Sequence, residues 1–185
     1  MDAREADAAA LRRELRSRLG LLGTPLQLLA ESVLGEEDER IDWVAVEPDG
    51  RLCVVLLAHA AGGERLLASG LAQRAWMQAR IPDWQQLVPG LGVRADLRPH
   101  LLLLAPDFSR VARRAAREAD PDGLRLARYR WDRVGGETRL IVEPVDPIAP
   151  ARATSGPRPS PPPLVSVFRS GLAESDFAGG RPERV

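Results

Sequence analysis

The chain has 185 residues, 44% of them hydrophobic and 4% aromatic, enough for one ordinary globular domain plus a tail. Its 26 basic residues balance 26 acidic ones, so no overall charge announces a nucleic-acid or membrane partner, and any such surface must be local. Every base is an arginine, which excludes mechanisms that need a lysine amine, and the single cysteine, Cys53, excludes an intrachain disulfide and a cysteine-rich zinc site.

The first segment, "MDAREADAAALRREL", mixes acids with arginines, and no later apolar run approaches the roughly 20 residues that span a bilayer. A cytoplasmic protein is expected. From Asp7 to Leu22 the leucines at 11, 15, 19 and 22 keep helical spacing, which predicts an amphipathic helix with one face buried. "GTPLQLLAESVLGEEDER" opens with turn residues and closes on the acidic run Glu36 to Glu39, so a short helix or strand followed by a solvated loop is expected.

"RIDWVAVEPDGRLCVVLLAHA" then predicts a hairpin. Ile41 to Val46 and Leu52 to Ala58 are its strands, "EPDG" supplies the turn, and the second strand is apolar on both faces, as in the middle of a sheet. "ERLLASGLAQRAWMQAR" is a helix with a broad apolar face, and "PDWQQLV" a further helical turn starting at Pro82. "HLLLLAP" is a short buried strand. "DFSRVARRAAREA" is a helix that Asp107 or Ser109 can cap, and "LRLARYRW" and "ETRLIVEPV" form a second hairpin about Gly135 and Gly136.

Strands grouped around crossover helices predict an α/β fold with a mixed sheet covered on both sides. The domain is expected over residues 1–145. A proline-rich linker covers 146–163, and a disordered C-terminal tail, 164–185, carries a few apolar residues that include Phe168, Leu172 and Phe177. Such a tail suits docking onto an unidentified protein partner, or is only a solvated end.

This succession of elements resembles the restriction-endonuclease-like superfamily, known by its PD-(D/E)XK motif, and in particular a branch of small prokaryotic proteins with a predicted nuclease domain. "IDWVAVEPDGRL" matches the aspartate-bearing strand and its turn, "LAQRAWM" the glutamine-bearing helix that follows, and "LLLLAPDFS" the later strand and its exit, so the resemblance spans about residues 11–145. It implies a mixed central sheet flanked by helices. In an active member an aspartate and a glutamate hold a divalent metal that activates water, and a lysine supports the developing charge.

The departure falls on those positions. Aligned on Asp42 and Gly50, the chain has Leu56 in place of the glutamate and Ala58 in place of the lysine. Asp42 is then either a surviving ligand or a strand-entry residue that hydrogen-bonds backbone or an arginine. Glu31, from the preceding segment, is the one acid at hand to help it, and Gln73 matches the family's helical glutamine. His59 should point away from the face of Leu56 and Ala58, because side chains alternate along a strand. His100, before a strand, has no metal-ligand spacing with His59. Trp43, Trp76, Trp84 and Trp131 are read as core or hairpin packing rather than base-stacking residues.

Arg110, Arg113, Arg114 and Arg117 share one predicted helix, and Arg125, Arg128, Arg130 and Arg133 the next hairpin. From Arg94 to Arg139 arginines exceed acids by four, which suits phosphate contact, although Glu118, Asp120 and Asp122 could equally balance a solvated face. The preferred reading is a catalytically inactive, nuclease-like domain that acts as an interaction or scaffold module, with no cofactor and no metal. The alternatives are a non-catalytic nucleic-acid binder using the arginine surface, or a divergent metal-dependent nuclease resting on Asp42 and Glu31.

Overall fold

The computed structural model describes residues 3–19, 25–59, 61–134 and 137–145, all within one compact unit, Met1–Pro150. The linker, the tail with Phe168, Leu172 and Phe177, Leu22, and the turn at Gly135 and Gly136 lie outside the described residues.

Six strands form a single mixed sheet in simple chain order: β1 (Gln27–Leu34), β2 (Arg40–Val46), β3 (Leu52–Leu57), β4 (His100–Ala105), β5 (Leu124–Val134) and β6 (Glu137–Val145). The first three make an antiparallel meander. Each hairpin closes through a short local turn, as the proline, aspartate and glycine of "EPDG" require. At its end Gly50 adopts φ +86, and a Cβ there would lie 2.3 Å from the Gly92 carbonyl oxygen, so only glycine fits. β3 to β4 and β4 to β5 are parallel steps, each made through a helical crossover, and β5 and β6 return to an antiparallel hairpin.

The helices are α1 (Ala3–Arg18), α2 (Glu64–Ala79), α3 (Ile81–Leu87) and α4 (Arg110–Ala119). Helix α1 begins earlier than its leucine spacing predicts, yet Leu11, Leu15 and Leu19 are the residues it buries. They pack on one face of the sheet against Trp43, Val55, Leu102, Tyr129 and Leu140. The opposite face meets α2, α3 and α4 through Val44, Val54, Leu56, Leu101 and Leu103, with Met77, Trp84 and Ala112 above them. Strand β3, buried at every position, runs through the middle of both layers.

This is the helix-flanked mixed sheet that the resemblance implies. Ser109, not Asp107, caps α4, its Oγ accepting from the Ala112 N–H at 3.0 Å. The segment that suits helix and strand equally by sequence is β1, an edge strand with a register shift between Leu28 and Ala30.

Among the tryptophans, Trp43 and Trp84 are buried, and Trp76 is half-buried with the Arg80 guanidinium 5.2 Å from its ring centre. Trp131 departs from the expected packing. It stands opposite Leu140 where β5 and β6 have outrun β4, whose pairing ends at Ala105 with Arg128, and 48% of its surface stays exposed.

Candidate functional site

Strands β2 and β3 pair from Val46 with Leu52 down to Trp43 with Val55, and there the backbone ladder stops. Asp42 comes next on β2. Its carboxylate takes over where a backbone carbonyl would have stood: Oδ2 accepts the Leu57 N–H at 2.7 Å, and Oδ1 accepts from Nη2 of Arg12 on α1. Only 6% of Asp42 is exposed. Burial pushes its carboxyl above the ordinary value, although the Leu57 N–H, Arg12 and nearby His59 all pull the other way.

The second acid is engaged in the same manner. Glu31 lies on β1 with its carboxylate 2.9 Å from Arg16, and both side chains are exposed. Arg12 and Arg16 stand one helical turn apart on α1, and Arg12 also reaches the Ser32 hydroxyl at 3.4 Å. In the β1–β2 register Ser32 falls opposite Asp42, with φ +55.

Leu56 is 3% exposed within the apolar layer beneath α2. Ala58 packs on the edge of that layer. Its N–H donates to the Leu104 carbonyl and its own carbonyl accepts from the Tyr129 hydroxyl, both at 2.8 Å. The divalent metal that the resemblance implies has little to bind here. Leucine and alanine offer no ligand atom, Asp42 and Glu31 face guanidinium groups, and no group of three metal-binding side chains is present among the described residues. The residues do not fit the ion, and no hydrolytic step follows from them.

Gln73, on α2, is 1% exposed and spends both halves of its amide on the backbone of one residue. Oε1 accepts the Glu36 N–H at 2.9 Å and Nε2 donates to the Glu36 carbonyl at 3.0 Å. Gly35 is the reason the amide can come so close, since a Cβ there would stand 1.8 Å from Oε1. Gln73 thus pins the β1–β2 connection to α2. His59, past the end of β3, is exposed and borders two grooves. One, of about 470 Å³, has Glu39, Ala58, Glu64, Arg65 and Ser69 on its walls, with Ser69 donating to Glu39. The other, of about 620 Å³, lies between α1 and the β5–β6 hairpin at Tyr129 and Trp131.

The arginines divide into two sets. Arg128 is paired with Glu143 at 2.7 Å and Arg130 with Asp132 at 3.2 Å. On α4, Arg110 and Arg114 are exposed, Arg113 and Arg117 are half-buried, and none of these four has an ion pair among the described residues.

The most connected polar group was not apparent from the chain. Glu47, at the end of β2, is 6% exposed and accepts from His100 Nδ1 at 2.9 Å and from Arg125 Nη2. Arg51 Nη1 meets His100 Nε2 at 2.9 Å. An arginine can only donate, so Nε2 accepts from Arg51 and Nδ1 donates to Glu47. Burial tends to raise the Glu47 carboxyl, but His100 and Arg125 outweigh it and hold the group below its ordinary value. Cys53, directly opposite His100 in the register, is fully buried and its thiol is pushed up to about 12 by that burial, which makes it inert as a nucleophile. The one signal for this cluster was an acid, Glu47, closing the apolar run from Trp43 to Val46.

No family model matches the chain, and no curated protein matches it. Among solved structures it is similar to a repair endonuclease from Pyrococcus abyssi, with 15% identity and a TM-score of 0.42 over 68% of this chain and 46% of that one. It is also similar to the structure of an EndoMS–dsDNA2 complex, with 15% identity and a TM-score of 0.37 over 66% of this chain and 43% of that one. The chain thus spans less than half of either structure. No helix among the described residues is long and apolar enough to cross a membrane.

Proposed function

We propose that the chain is a nuclease-like domain without nuclease chemistry, acting as a protein-interaction or scaffold module in the cytoplasm. The observation that carries this reading is the use of Asp42. A carboxylate that completes the β2–β3 ladder through the Leu57 N–H and holds Arg12 is not available to a cation, and its strand partner Leu56 belongs to the core. The purified protein, incubated with single- and double-stranded DNA and RNA in Mg²⁺ or Mn²⁺, is expected to leave them intact. Cleavage that disappears in Asp42→Ala would overturn the proposal in favour of a divergent nuclease.

The partner is assigned to the C-terminal tail. A chain truncated near Val145 should keep its melting temperature and lose co-purifying protein, and Phe168→Ala with Phe177→Ala should reproduce the loss. Equal recovery of partners by both forms refutes this role for the tail.

A second reading rests on α4. Four arginines on one ten-residue helix, none of them ion-paired among the described residues, make a local cationic face on a chain of zero net charge. Arg128 and Arg130 border the reading more weakly, because each already has an acid. If this face binds nucleic acid, retention of labelled DNA or RNA should fall steeply with salt, and Arg110→Ala with Arg114→Ala should flatten that dependence. Salt-insensitive retention would exclude it.

A further inference from the structure

Strand β6 is one edge of the sheet, and among the described residues no strand pairs with its outer side. The phase of its backbone follows from two observations. The Leu101 N–H donates to the Gly123 carbonyl, so odd-numbered residues of β5 turn toward β4 and even-numbered ones toward β6. In the β5–β6 register Arg128, Arg130 and Asp132 stand opposite Glu143, Ile141 and Arg139, and the odd residues of β6 therefore use their N–H and C=O groups on β5. Leu140 and Val142 point theirs outward, as does Pro144, which has no N–H to offer and sits where an edge strand tolerates it.

We propose that this edge pairs antiparallel with β6 of a second copy of the chain about a two-fold axis at Ile141, joining two sheets into one. In that register both the backbone phase and the charges of the segment are self-complementary. Leu140 of one copy and Val142 of the other exchange both backbone hydrogen bonds, and the same pair recurs by symmetry. Ile141 meets Ile141, and Arg139 stands opposite Glu143 on both sides of the axis.

Within one copy Arg128 already pairs with Glu143, and Asp132 lies opposite Arg139. The join therefore extends an alternating row of charges across four strands, Arg128, Glu143, Arg139 and Asp132. Opposite charges directly across a ladder favour the pairing, and a shift by one residue would set Val142, whose backbone groups point outward, against Ile141, whose groups are already used on β5.

A charge introduced at the axis tests the register without touching the core, because Ile141 is only half-buried and belongs to neither apolar layer. Sedimentation velocity on the full chain should show a dimer that grows with concentration. Ile141→Lys and Ile141→Glu should each be monomeric, since each sets two like charges face to face. Mixed in equal amounts, they should recover the dimer through one lysine and one glutamate across the axis. A monomeric parent chain at all concentrations, dimers that survive in either single variant, or a mixture that stays monomeric would each overturn the assignment. Unchanged melting temperatures of the two variants, measured at a concentration where the parent is monomeric, separate loss of pairing from loss of fold.

Discussion

Replacing Leu56 by glutamate restores one of the motif's missing ligands on paper, and the structure states what it should do instead. Leu56 is 3% exposed in the layer under α2. Losing its buried surface costs roughly 1.5–3 kcal/mol, and an acid left there without partners adds roughly 1–3 kcal/mol even when it stays protonated. A total of about 2.5–6 kcal/mol is a large part of the roughly 5–15 kcal/mol that holds a domain together. At about 2–4 °C per kcal/mol for a domain of this size, the melting temperature should fall by about 5–24 °C. The assay is thermal unfolding followed by far-UV circular dichroism, run with and without Mn²⁺. Raising the pH above the ordinary glutamate range should deepen the loss, because ionising a buried carboxyl is costlier than burying it neutral. Two results would refute the reasoning: an unchanged melting temperature, which would mean that position 56 is not in the core, or a recovery with Mn²⁺, which would mean that Asp42 can leave Arg12 and join a metal.

Asp42→Ala should cost about 1–3 kcal/mol by leaving the Leu57 N–H without an acceptor, and Asp42→Asn, which keeps an oxygen there, should cost less; equal losses in thermal melts would count against Asp42 completing the β2–β3 ladder. Gly35→Ala and Gln73→Ala should each destabilise by a similar amount, and Gly35→Ala should cost little more once Gln73 is already alanine, since both break one contact; additive losses in that double-mutant cycle would contradict it. Glu47 has a folded value held below its ordinary 4.5, so the stability it supplies is complete above about pH 4.5 and is lost as pH falls toward the folded value. Glu47→Gln should therefore be less stable than the parent at pH 7 and show a shallower acid limb in urea titrations; parallel pH curves would rule this out.

The β2–β3 hairpin was legible because its signals are local: two valine- and leucine-rich runs flank "EPDG", and the second strand has no polar face. The helix over 64–79 was legible from its apolar positions, while the buried Gln73 and Arg74 within it were not, because their partners Glu36 and Asp120 lie far away in the chain. Strand β1 stayed ambiguous for a physical reason: an exposed edge strand with a register shift has no clean alternation, and leucine, alanine and glutamate suit a helix as well. At the candidate site, the loss at positions 56 and 58 could be read directly. That Asp42 would hydrogen-bond backbone or an arginine was one of the two readings open from sequence, but its partners, the Leu57 N–H and Arg12, were not, since they depend on how α1 crosses the sheet and on where the β2–β3 ladder ends. The cluster about Glu47 joins residues 53 and 78 positions apart, beyond any periodic signal.

That separation has a kinetic consequence. Glu47, Arg51, His100 and Arg125 come from four neighbouring strands or their turns, so their contacts are complete only after β4 and β5 have docked in parallel beside β3. Parallel docking closes long loops before any contact rewards it and tends to come late on the folding route. Interactions absent from the transition state leave the folding rate alone and slow the reverse step. The rim of the sheet thus works as a latch: weakening it should leave refolding nearly as fast as before while the native chain opens sooner.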